Sequence, residues 1–196
     1  MWALLLPGAY LLGCFPSAQM VARASGVDIT RAGSGNPGAS NVTRVLGWRK
    51  GVAVLILDAA KGAIAAGAGL LFADRAAAYS FGAATILGHV FPVTRRLRGG
   101  KGVASAAGVM LVLHPLVSAI LGAAWFLISR YSGKAALASL TIVTVLPVGI
   151  ALNGRPAWEV LATIAIGLLV MIRHVANLRR LWRGEELQMQ RWPGRV

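Results

Sequence analysis

The sequence predicts an all-α, polytopic integral membrane helical bundle of seven transmembrane helices, with the N-terminus outside and the C-terminus cytoplasmic. Three observations carry that expectation. Of 196 residues, 57% are hydrophobic and only 13% are charged, about half the charge of an ordinary soluble domain. The apolar residues fall in long runs separated by short basic, glycine-rich stretches, the pattern of membrane helices joined by loops. The basic residues, 20 Lys and Arg against 6 Asp and Glu, gather at the ends of those runs, where they set topology. In a soluble chain a net charge of +14 would suggest nucleic acid. Here no recognition fold has room to form, and the charge points to a lipid bilayer and to anionic substrates.

A helix needs about 20 apolar residues to cross the hydrocarbon. The runs are 2–22, 51–72, 76–92, 103–113, 116–129, 135–152 and 157–173. The first has no basic residue ahead of it and Arg23 and Arg31 behind it, so it reads as a retained span rather than a cleaved leader. Cys14, inside this run, is the single cysteine and reads as a packing residue. The stretch 103–129 is either one tilted helix or two short ones broken at His114-Pro115, where proline disfavours continuation. Charge separates the two readings. With two spans there, segments 23–50, 93–102, 130–134 and the tail from 174 share one side. Counting Lys61 and Arg173 with their adjoining loops, that side holds every Lys and Arg except Arg75 and Arg155. One span would carry the arginine-rich tail outside, against the positive-inside bias. Two spans follow, and 103–113 must then thin the bilayer or cross only part of it, covered by neighbours. The chain reads as a single membrane-embedded domain, 1–196.

Three polar stretches end up on the cytoplasmic side. The first is Gly33-Ser34-Gly35-Asn36-Pro37-Gly38-Ala39-Ser40-Asn41, followed by Arg44. Glycines at positive φ turn backbone N–H groups inward into an anion nest. Ser34, Asn36, Ser40 and Asn41 add neutral donors, Arg44 adds a forked cation suited to phosphate, and a helix starting after Asn41 would direct its positive end at the anion. The Gly-Lys-Ser/Thr ending of a nucleotide P-loop is absent. A tight turn with Arg44 as topology marker is the plain alternative.

The second stretch is Gly88-His89-Val90-Phe91-Pro92, then Arg95, Arg96 and Arg98, then Gly99-Gly100-Lys101-Gly102. Flexible glycines around Lys101 let an ammonium and backbone amides approach a phosphate together. A positive-inside loop accounts for the arginines but poorly for the glycines. The third is His174-Val175-Ala176-Asn177-Leu178-Arg179-Arg180-Leu181, with Gly184, Glu185 and Glu186 beyond. If the last helix continues, His174 and Asn177 share a face, and an imidazole there can accept a proton from a hydroxyl. An interfacial histidine capping a basic helix end is the alternative. Asp58 and Lys61 lie inside the second span. A mid-membrane charge costs about 2.5–3.5 kcal/mol, so the two should face the bundle interior as a pair, either to bind substrate or to hold helices together, and of these we favour the structural role.

In this order and at these spacings, the three stretches resemble the bacterial acyl-phosphate:glycerol-3-phosphate acyltransferases, the PlsY family. The resemblance implies transfer of a fatty acyl group from acyl phosphate to the sn-1 hydroxyl of glycerol 3-phosphate, giving lysophosphatidic acid in phospholipid synthesis. It further implies a bacterial inner-membrane protein with a cytoplasmic active site; separately, we expect a monomer without a cofactor. Carried over by residue, it marks Ser34 and Arg44 as required, with Gly33, Gly35, Asn36, Gly38, Ser40 and Asn41 in the same loop. It assigns glycerol 3-phosphate binding to His89, Gly99, Gly100, Lys101 and Gly102. It makes His174 and Asn177 catalytic and Glu186 structural. Val93-Thr94-Arg95-Arg96-Leu97-Arg98 departs from the family, which commonly places aromatic residues and lysine there.

Acyl phosphate is already activated, so no covalent intermediate is needed, and no Ser-His-Asp arrangement is evident. The enzyme must hold two phosphates close despite their repulsion, align hydroxyl with carbonyl, and stabilise the oxyanion. The other large glycerolipid acyltransferase class uses a histidine closely followed by aspartate. The corresponding positions here are Thr94, Ala119 and Arg179, so that mechanism does not apply. The acids are too few and scattered for a metal site. The competing readings are a transporter of phosphorylated small molecules and a phosphoryl or phosphatidyl transferase. No inverted repeat supports the first; Asp28, Asp58 and Asp74 are too dispersed for the second.

Overall fold

The computed structural model describes residues 2–189; the tail arginines Arg191 and Arg195 counted above lie outside them. Every regular element among the described residues is helical: α1 Leu6–Gly13, α2 Ser17–Arg23, α3 Ala39–Leu46, α4 Trp48–Phe72, α5 Arg75–Val90, α6 Val103–Leu113, α7 Pro115–Ser132, α8 Ala135–Leu152, α9 Ala157–Arg173 and α10 Val175–Trp182, with single 3-10 turns at Trp2–Leu5 and Val93–Arg95.

Each apolar run of the sequence falls on a helix, but not each is a full span. Among the described residues, five segments are long and apolar enough to cross a bilayer: Trp2–Arg23, Trp48–Phe72, Arg75–Arg95, Pro115–Ser132 and Ala135–Leu152. A sixth qualifies only if α9 and α10 count together across a 61° bend. The eleven residues of α6 rise only about 16 Å, half the hydrocarbon thickness. The first segment is itself broken between α1 and α2, because Pro16 cannot donate to the ladder and disfavours helix at Phe15.

The chain divides into two compact units, one ending at Leu113 and the other starting at His114. In the first, α4 and α5 are antiparallel: Gly69 faces Ala78 near their short connection, while Lys61 faces His89 further along. The loops before α4 and after α5 therefore emerge at the same end. α6 lies against α4 where Gly62 meets the Ser105 backbone and Gly108 meets the Ala59 backbone; a Cβ at either glycine would collide, the small-residue contact typical of membrane helices. The first segment docks on α5 through Thr85 Oγ1, which donates to Ala9 O at 2.8 Å, and Tyr10 Oη, which donates to Phe91 O at 2.6 Å. Beneath the first glycine loop, Ala18, Ala22, Ile29, Val42 and Val54 form a buried apolar cluster. Arg75, counted above only as an outside charge, also caps the short α6 by donating to Leu113 O at 3.2 Å.

In the second unit, Trp125 Nε1 donates to Ser139 Oγ at 3.0 Å and joins α7 to α8. His114 Nε2 lies 3.3 Å from Glu159 Oε2, tying the start of α7 to the first turn of α9. Sequence reasoning passed over this pair. An acid inside an apolar run implies a buried partner, and that was the available signal.

Candidate functional site

The first loop is organised by Asn41, which is 1% exposed. α3 starts at Ala39, with Gly38 before it in extended conformation, so Ser40 and Asn41 lie in its first turn instead of preceding it as expected. Gly33 and Gly35 adopt positive φ, +58° and +70°, and the chain there wraps around the Asn41 side chain. Asn41 Nδ2 donates to Ile29 O at 3.3 Å and Ala32 O at 2.9 Å. Its Oδ1 accepts from Ser34 N at 2.9 Å and from Arg44 Nη1 at 3.3 Å. Both amide protons are thus spent inside the loop. Asn41 is the loop's staple, where the sequence suggested a donor to a bound anion. Its effect is to bring Ser34 and the Arg44 guanidinium onto one oxygen atom.

Asn36 N donates to Ser34 Oγ at 3.4 Å, which folds the loop tip back over Ser34. Upstream, Asp28 Oδ1 accepts from the Thr30 hydroxyl at 2.6 Å and the Thr30 N–H at 3.0 Å. These bonds hold its carboxyl below the usual carboxylate range. Removing Asn41 should loosen all of this. Asn41→Ala is expected to lower stability by about 1–3 kcal/mol, since buried carbonyls lose their donor; denaturant unfolding of the purified protein measures it.

The second loop differs from the flexible nest expected. Gly102 has positive φ, +86°, but Gly99 and Gly100 do not. Their N–H groups donate to Val90 O and His89 O, both at 3.1 Å, so they bind the end of α5. What they require is closeness. A Cβ on Gly99 would strike the His89 carbonyl, and one on Gly100 would strike the His89 ring. Lys101 follows directly, half-buried, at the entry to α6.

His89, expected to bind substrate, is 6% exposed. Its Nδ1 lies 2.8 Å from Lys61 Nζ and 3.5 Å from Asp58 Oδ1, and Lys61 Nζ lies 2.8 Å from that same oxygen. Two N–H donors cannot face each other at 2.8 Å, so Nδ1 accepts from Lys61 and the ring proton sits on Nε2.

Arg95 also has a place that the sequence did not disclose. Its Nη1 donates to Gln19 Oε1 at 2.7 Å and its Nη2 to Cys14 O at 3.4 Å, while Lys61 reaches Phe15 O at 3.4 Å. Cys14 O and Phe15 O are backbone carbonyls at the break after α1, and Phe15 O also accepts from Ser17 N at 3.1 Å. The Phe15-Pro16 break was the signal: a broken span leaves acceptors that a cation must satisfy. Beyond Arg95 the chain turns through left-handed φ at Arg96 and Leu97, +51° and +61°.

The third stretch does not continue the last helix straight. His174 is the bend itself, closing α9 and opening α10. It is 3% exposed, and Val170 O accepts from its Nδ1 at 2.8 Å. A carbonyl can only accept, so Nδ1 carries a proton, and in the neutral ring the lone pair lies on Nε2. Asn177, 4% exposed, donates through Nδ2 to Glu186 Oε1 at 2.7 Å, and Arg180 Nε donates to Glu186 Oε2 at 3.0 Å. One carboxylate therefore orients the Asn177 amide and pins the segment after α10. Among the described residues, no cluster of His, Cys, Asp and Glu suited to a metal ion occurs.

Fold and loops together define a helical membrane protein that carries cationic, glycine-rich loops at one end of its first helical unit. Comparison with known proteins gives the family. A family profile described as glycerol-3-phosphate acyltransferase matches residues 3–184. A glycerol-3-phosphate acyltransferase from Thermus thermophilus is 38% identical, covering 96% of this chain and 94% of its own. The one from Thioalkalivibrio sulfidiphilus is 41% identical, over 93% and 91% respectively. Two crystal structures of PlsY, an integral membrane glycerol 3-phosphate acyltransferase, align with TM-scores of 0.89 and 0.87 at 38% identity, covering 95% of this chain and 94% of theirs. One is described as the glycerol 3-phosphate form and the other as the lysophosphatidic acid form. The chain belongs to the glycerol-3-phosphate acyltransferase family. It is an enzyme, and the transporter reading is set aside.

Proposed function

We propose that this enzyme transfers a fatty acyl group from acyl phosphate to the sn-1 hydroxyl of glycerol 3-phosphate, releasing lysophosphatidic acid and inorganic phosphate. The hydroxyl oxygen attacks the acyl carbon, the bond from that carbon to the phosphate oxygen breaks, and phosphate leaves with its electron pair. The hydroxyl proton passes to His174 Nε2, or to the departing phosphate while His174 orients the hydroxyl. Arg44 and Ser34 hold one phosphate and Lys101 the other. Asn177, with loop amides, steadies the oxyanion. The observation that carries this reading is the convergence of the Ser34 N–H and the Arg44 guanidinium on Asn41 Oδ1, at the helix end from which the Lys101 loop also emerges.

The enzyme works as a monomer and a single membrane-embedded domain in the bacterial inner membrane. It crosses seven times, with α6 as a partial crossing covered by protein, the N-terminus outside and the glycine loops in the cytoplasm. The positive-inside distribution of Lys and Arg supports that orientation. Purified enzyme given glycerol 3-phosphate, in chelator, is expected to turn over with acyl phosphate and not with acyl-CoA or acyl carrier protein. Equal turnover with either thioester would overturn the donor assignment.

A further inference from the structure

Asp58 and Lys61 are 2% and 3% exposed in the middle of α4. A buried ion pair is a weak way to hold helices together, because apolar residues of similar volume do so at least as well. Its use lies in geometry. The Lys61 ammonium is paired with the Asp58 carboxylate, Oδ1 at 2.8 Å, and has two hydrogen-bond acceptors beside it, His89 Nδ1 at 2.8 Å and Phe15 O at 3.4 Å. That arrangement fixes the plane and tautomer of the His89 ring, and the second loop is laid against this residue twice. The His89 carbonyl accepts the Gly100 N–H at 3.1 Å, and the ring edge around Nε2 fills the space where a Gly100 Cβ would stand. The next residue is Lys101.

We infer that the Asp58–Lys61 pair is a positioning device: by holding His89 it sets how Gly99 and Gly100 seat on α5, and so where Lys101 presents its ammonium to the phosphate of glycerol 3-phosphate. This rests on the reading of Lys101 given above. Asp58, Lys61 and His89 act through Lys101 and touch no substrate. The pair is therefore worth its desolvation to the loop rather than to the bundle.

The test uses the full-length enzyme in lipid nanodiscs, with the dissociation constant of glycerol 3-phosphate read by calorimetry without acyl donor. Lys61→Met alone strands a buried carboxylate and risks misfolding, so both charges are removed together as Asp58→Leu with Lys61→Met. This variant should unfold as cooperatively as the parent yet bind glycerol 3-phosphate about tenfold more weakly, the effect of one misplaced charge-assisted hydrogen bond. Asp58→Asn with Lys61→Gln keeps an N–H donor for His89 Nδ1 and should restore affinity. Lys101→Met should weaken binding by itself, and adding the charge-free pair to it should weaken binding no further. His89→Asn leaves the ion pair intact, withdraws the ring from Gly100, and carries the same tenfold expectation as the charge-free pair. A folded charge-free variant with parental affinity, or losses that multiply in the combined variant, overturns the positioning role. Parental affinity in Lys101→Met instead overturns the phosphate assignment of Lys101 itself.

Discussion

Replacing His174 by glutamine is expected to lower kcat by about 10²–10⁴-fold with little change in KM for either substrate. Glutamine fills nearly the same volume, and its amide can still donate to the Val170 carbonyl that His174 Nδ1 now engages at 2.8 Å. What it lacks is a basic nitrogen. The bend between α9 and α10 should survive, because His174 O accepts Leu178 N at 2.8 Å through the backbone. The loss should therefore appear in the chemical step. Steady-state rates across a pH range, with acyl phosphate as donor, make the measurement. A variant at full turnover throughout would remove His174 from the proton's path both as acceptor and as orienting group.

Gly100→Ala should be nearly as damaging for a steric reason. The added methyl group would occupy the position of the His89 ring, which cannot yield while Lys61 holds its Nδ1 at 2.8 Å. The loop must lift instead, breaking the Gly99 and Gly100 bonds to Val90 O and His89 O. Overpacking of this kind costs about 1–3 kcal/mol of stability. The functional loss should be larger, about a hundredfold in kcat/KM for glycerol 3-phosphate, because a displacement near 1 Å suffices for that. Thermal unfolding and substrate kinetics on one preparation separate the two effects. Full activity in Gly100→Ala would mean that Lys101 does not depend on how its loop is seated.

Much of the fold was legible in one dimension. Apolar runs long enough to cross a bilayer have few alternatives, because every backbone N–H and C=O must find a partner within the helix. The run 135–152 is helix α8 to the residue, and the break foreseen at His114-Pro115 is where the two units meet in sequence. Helix length was harder to foresee. Run 51–72 begins three residues inside α4, whose first turn takes in Arg49 and Lys50, since a helix need not stop where its hydrophobic stretch does. The break after Cys14 was missed, although Phe15-Pro16 stands in the sequence.

The candidate site divides along a similar line. Three glycine- and charge-bearing stretches could be singled out because their chemistry is expensive beside a membrane and a plain connector does not require it. Which side chains within them face an anion could not be read, because that depends on which polar groups the protein uses for itself. Asn41 and Asn36 are the same residue type in the same loop. Only packing commits all the bonds of the Asn41 amide to Ile29, Ala32, Ser34 and Arg44. His89 and His174 were both candidates for direct action, and the fold gives one to Lys61 and the other to a helix bend.

The sequence alone determined that this chain is helical, belongs in a membrane and carries three polar, charge-bearing stretches that stand out beside its apolar runs. Those properties follow from local composition and from spacing along the chain. The tertiary structure decided how those stretches are built: Asn41 as a staple, Gly99 and Gly100 as points of close approach, and Asp58 with Lys61 as the support of His89. Hydrogen-bond partners that lie far apart in the chain are chosen by how the helices pack, and no spacing rule encodes that choice.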